Sequence, residues 1–134
     1  MSMELCVLSD MRLASMAEWQ RAIDAEKGSL QLSAEGAVGE VNGFLPANLQ
    51  GKQTGFECYH VDPHEITETY DNLQFGRAWK YGLVLVWGGD FAEMKAAWMA
   101  ASAYARATSG VVFDPQASQL LTASEAFEFA HGNR

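Results

Sequence analysis

Basic residues are few in this 134-residue chain: nine Lys and Arg stand against seventeen Asp and Glu, a formal net charge of −8. That balance excludes nucleic acid or an anionic membrane as a partner met through a basic face, and a cationic partner suits it better. Cysteine is scarcer still. Cys6 and Cys58 are too few for a disulfide framework and lack C-x-x-C spacing, so both are expected as ordinary buried thiols in a reducing compartment. No stretch approaches the roughly 20 apolar residues of a membrane helix. Met1 to Leu5 has no basic segment ahead of an apolar run, so the expected location is the cytoplasm.

Signatures of catalysis are missing as well. Imidazoles occur only at His60, His64 and His131, and no Gly-x-Ser-x-Gly turn presents a nucleophile. Gly36-Ala37-Val38-Gly39 lacks the Gly-Lys-Ser/Thr that completes a phosphate loop, and Gly51-Lys52-Gln53-Thr54 lacks the upstream glycine. No cofactor is called for.

What is present is a globular composition, 49% hydrophobic and 19% charged, over a length that suits a single α+β domain spanning 1–134. Its organising stretch is Trp79 to Asp114. Tyr81 to Trp87 is almost unbroken apolar sequence, which predicts a strand covered on both faces and placed centrally in a sheet. Gly88-Gly89 turns the chain. Asp90 and Glu93 have capping-box spacing, so a helix starts at about Phe91. Phe91, Met94, Trp98, Ala101 and Ala105 form its expected apolar stripe, with Lys95, Ser102 and Arg106 on a narrow polar face. Gly110 is expected to end it in the left-handed conformation before a buried strand, Val111 to Phe113.

Leu5 to Leu8 reads as a first strand, and Ser15 with Glu18 opens a helix carrying Met16, Trp19 and Ile23 to Gly28. Leu30 to Ser33 alternates as a second strand. From Ala34 the regular pattern fades amid glycines, with Phe44, Leu45 and Leu49 expected to tuck the excursion onto the core. Phe56 to Val61 is a strand with Phe56, Cys58 and His60 on one side and Glu57, Tyr59 and Val61 on the other. Asp62-Pro63 starts a short helix running to about Tyr70. Gln116 to Leu121 is a turn or last strand, and Thr122 with Glu125 caps a terminal helix. Strand, helix, strand taken twice is the order of a ferredoxin-like sandwich, here with an inserted loop, strand and short helix over about 34–78 and an added C-terminal helix.

Cys58, His60, Asp62 and His64 are residue types that ligate zinc. Yet Asp62 is required as a helix cap, and the period-two alternation stops where the strand gives way to helix, so no metal site is expected. Gly88-Gly89-Asp90-Phe91 resembles the Gly-Gly-Asp-Glu-Phe signature of diguanylate cyclases, but the glutamate is missing and Asp90 starts a helix. Trp19, Trp87 and Trp98 fall on core faces. Trp79 is the one expected at the surface.

Charge supplies the functional lead, because −6 of the −8 lies between Gly28 and Gly76. Glu57, Asp62, Glu65, Glu68 and Asp71 are the candidate partner-binding residues, forming an acidic surface for a basic protein. The alternative is a small enzyme or ligand binder with a pocket near Tyr59, His60 and Trp79. Gly43-Phe44-Leu45-Pro46, Gly55-Phe56-Glu57 and the run from Ala105 to Gln116 resemble segments of small uncharacterised bacterial α+β families, some of them among toxin-immunity proteins. That resemblance implies an intracellular bacterial protein of an immunity-like kind, and transfers no site residues.

Overall fold

A computed structural model describes residues 3–71, 73 and 75–132. The strands are β1 (Met3–Ser9), β2 (Leu30–Leu32), β3 (Gly43–Leu49), β4 (Lys52–Val61), β5 (Tyr81–Trp87), β6 (Val111–Asp114) and β7 (Gln119–Thr122). The helices are α1 (Met16–Ala25), α2 (Pro63–Thr69), α3 (Phe91–Thr108) and α4 (Ala123–His131). No helix among the described residues is long and apolar enough to cross a membrane. The chain is an α+β protein whose strands form one antiparallel sheet in the order β2-β3-β4-β5-β1-β6-β7. Tyr81 to Trp87 does occupy the middle.

Alternation along the strands sorts the sheet's two sides. Cys58, Leu85 and Leu5 lie in one cross-strand row, and His60, Leu83, Val7, Val112 and Leu121 in the next. On that side α1, α3 and α4 pack, and Trp19 of α1 sits fully buried against Phe56 and Tyr104 while its indole N–H donates to the Ala100 carbonyl at 3.0 Å. The other side is covered only in part. There α2 and the segment after it bury Ile66 and Phe75 against Cys6, Leu8, Val84 and Phe113, over β5, β1 and β6. Cys6 and Cys58 are thus free buried thiols on opposite sides of the sheet, and burial pushes each pKa up to about 12.

Several expectations are corrected. The stretch from 34 onward does not leave the sheet as a loop, because β3 and β4 form a hairpin that lies between β2 and β5. With seven strands the sheet is larger than the expected ferredoxin-like one. Leu45 and Leu49 reach the core as anticipated, but Phe44 alternates to the opposite side, where its ring lies over Gly55 and remains 63% exposed.

Helix α3 also departs from its simple stripe. Its alanine-rich middle is buried on nearly every side, since the sheet and both neighbouring helices flank it. Ser102, expected on a polar face, is therefore buried, whereas Phe91 projects into solvent beyond the packed region. Asp90 makes no side-chain cap, and the Glu93 carboxylate instead accepts from the Gly88 N–H at 3.0 Å. Both reciprocal capping boxes at Ser15/Glu18 and Thr122/Glu125 form. The left-handed residue ending α3 is Ser109 (φ 57°), not Gly110.

Candidate functional site

On the partly covered side, the register places Phe44, Glu57, Val86 and Glu4 in one row across β3, β4, β5 and β1. Among the described residues no helix packs over the β3–β4 end of this row, where both Phe44 and Glu57 are exposed and Glu93 from the first turn of α3 comes beside Phe44. The Tyr59 hydroxyl donates to the Glu57 carboxylate, and this hydrogen bond is the chief reason the phenol's pKa is raised. Beyond Val61 the chain turns into α2. Asp62 caps it by accepting from the His64 N–H at 3.0 Å, Glu65 lies in its first turn, and Glu68 and Asp71 follow, all exposed.

The five predicted acids therefore form two groups. Asp62, Glu65, Glu68 and Asp71 belong to α2 and its ends, while Glu57 stands on the open sheet with Glu4. Glu4 and Phe44 were not among the sequence candidates. Only the strand register, which brings β1 and β3 to either side of the β4–β5 pair, reveals them. Base is scarce here too, since the Arg77 guanidinium is already paired with Asp10 and lies 4.2 Å from the centroid of the Trp79 ring.

The residues named for a pocket are not gathered into one. Tyr59 and His60 are adjacent on β4 and point to opposite sides of the sheet; His60 Nε2 lies 2.9 Å from the Val38 carbonyl on the helical side. Trp79 lines a different cavity of about 230 Å³ at the flank of α2, with Pro63, His64, Thr67 and Phe75, and its indole N–H donates to the Phe75 carbonyl. Among the described residues, no three His, Cys, Asp or Glu side chains converge as metal ligands would.

A buried polar cluster that the sequence did not announce joins α1, α3 and α4. Glu26, at the end of α1, is 5% exposed and accepts from the Ser102 hydroxyl at 2.9 Å. Arg106 Nε lies 3.0 Å from its second oxygen, and His131 Nε2 is 3.7 Å from the first. Serine, carboxylate and imidazole together invite comparison with a nucleophile and its base. The hydroxyl, however, donates to the carboxylate rather than to the imidazole, so these residues do not have the order of the usual serine–imidazole–carboxylate relay. The cluster is a clamp on the terminal helix.

That clamp carries a pH signature. Burial is the largest influence on His131 and lowers its pKa from 6.5, with Glu26 opposing and Lys95 and Arg106 reinforcing the shift. The unfolded chain then binds more protons than the folded one as pH falls through 6.5, so this contribution is complete above that value and is lost below it. Urea unfolding of wild type and His131→Gln between pH 7.5 and 5 isolates the effect, on the order of the imidazole's ordinary titration range. The wild type is expected to lose more stability over that range than the variant; parallel curves contradict the assignment. No protein-family model, curated protein or solved structure matches this chain.

Proposed function

We propose that the chain is a non-enzymatic binding module that docks a basic protein on the acidic side of its sheet, in the manner of an immunity protein engaging its toxin. The observation that carries this reading is the β3–β4 surface, where the aromatic Phe44 stands exposed beside Glu57 with no helix among the described residues packed above them. An exposed aromatic anchor supplies affinity when a partner desolvates it, and surrounding charge of one sign accelerates encounter and sets orientation. Glu4, Asp62, Glu65, Glu68 and Asp71 extend the negative field around that anchor. The scaffold reads as a ferredoxin-like sandwich enlarged by β2, β3 and β7; the order β4-β5-β1-β6, with α1 and α3 packed on one side, supports this.

The test separates field from anchor. A partner captured from the source cell is titrated against wild type, the triple variant Glu65→Lys, Glu68→Lys, Asp71→Lys, and Phe44→Ala. The triple variant is expected to slow association about tenfold or more at low salt, and the wild-type affinity to fall as the screening length shrinks toward about 8 Å. Phe44→Ala is expected to act on dissociation instead. Unchanged rates in both variants, with no salt dependence, would leave the acidic surface as a device for solubility alone.

A further inference from the structure

The end of the sheet where β1 begins and β5 finishes holds a cleft of about 310 Å³, at the small end of ligand pockets. Its walls come from Trp87, the first two turns of α3 and the last turn of α4. Two of the large apolar side chains exposed among the described residues, Phe91 and Phe129, border this one cavity. Phe129 stacks on Trp98 with ring centroids 5.0 Å apart and planes within 16°, so part of the wall is a flat aromatic surface. Met3 and Met94 add pliable apolar surface.

The polar groups are unequal. Asp114 is 8% exposed, and one of its oxygens already accepts from both the backbone N–H and the side-chain amide of Gln116, at 3.1 and 2.7 Å. Gln116 is held in turn by paired bonds to the Glu4 backbone, each 2.9 Å. Lys95 is half-exposed on the wall and has no carboxylate within ion-pairing distance among the described residues. Asp114 keeps its second oxygen unbonded while its first is spent on Gln116, so Lys95, beside the flat aromatic walls, is the charged group of the cleft with no protein partner among the described residues.

We propose that this cleft binds a small aromatic carboxylate, its ring against the Trp98–Phe129 wall and its carboxylate on Lys95. The site shares no lining residue with α2, β3 or β4, although Met3 and Trp87 adjoin Glu4 and Val86 of the docking row.

The probes are 3-phenylpropionate, indole-3-acetate and the neutral 3-phenylpropan-1-ol, titrated into the full chain while the indole N–H signals of Trp87 and Trp98 are followed by NMR. At least one acid is expected to give saturable shifts centred on these two signals, and 3-phenylpropionate to bind about fivefold more tightly than its alcohol, the upper end for a half-exposed ion pair. Lys95→Met should erase that preference while leaving alcohol binding in place. Met94→Trp, which fills the cleft from a half-exposed position, should abolish binding of all three with the dispersed spectrum of a folded protein retained. Absence of saturable shifts with either acid, shifts centred elsewhere, or an acid preference that survives in Lys95→Met would each overturn the proposal.

Discussion

Replacing Trp19 with Ala is expected to lower the unfolding free energy by about 3–5 kcal/mol, a large share of the total for a domain of this size. The indole is fully buried between α1, α3 and the sheet, with Tyr104 and Phe56 meeting it edge to face at centroid distances of 5.2 and 6.4 Å. Removing it leaves a closed cavity at the place where three elements converge, and rigid neighbours collapse into such a space only partly. Trp98→Ala is expected to cost less. Trp98 is buried in the core as its place on the stripe predicts, but it also borders the open cleft, so water enters the space its removal would create. Urea unfolding of the two variants gives the comparison, and equal losses would mean that the cleft is packed as tightly as the core.

The fate of these two tryptophans shows what the sequence discloses about the fold. Periodicity and caps report each element's own neighbourhood, and they find the middle strand from Tyr81 to Trp87 and the start of α3 at Phe91. They do not report which elements flank a helix. Ser102 and Arg106 both look like a polar face, yet α1 brings Glu26 over Ser102 from 76 residues away and leaves Arg106 at the rim. Propensity also hides β3, because Gly43 and Pro46 punctuate it. Leu45, Ala47 and Leu49 nevertheless keep a period of two, and Pro46 is tolerated because its carbonyl side faces Ser33, just past the last paired residue of β2.

The candidate site is legible in charge but not in arrangement. The acids of α2 lie in a short local stretch whose cap and proline the sequence displays, so their exposure follows from local chemistry. Glu57 and Tyr59 share a side by alternation, which is again local. That Phe44 and Glu4 complete the row depends on antiparallel pairing across three strand boundaries, and no single window of sequence contains that information.

Gly110→Ala is expected to destabilise the protein by about 3 kcal/mol or more, at or beyond the upper end for an overpacked site. A Cβ at this position would stand 2.4 Å from the Leu8 carbonyl oxygen and 2.9 Å from Ser9 Cβ. Neither obstacle yields easily, because Leu8 lies on β1 between β5 and β6 and is paired with Gly82 on one side and Val111 on the other. The glycine is thus required for close approach of two backbones, while the left-handed turn that ends α3 falls on exposed Ser109. The two roles separate by substitution. Ser109→Gly relieves the left-handed strain and is expected to be neutral to about 1 kcal/mol stabilising, whereas Gly110→Ala forces β1 and the start of β6 apart. Denaturant unfolding of both variants checks the assignment; a harmless Gly110→Ala beside a damaging Ser109→Gly would place the constraint on the wrong residue.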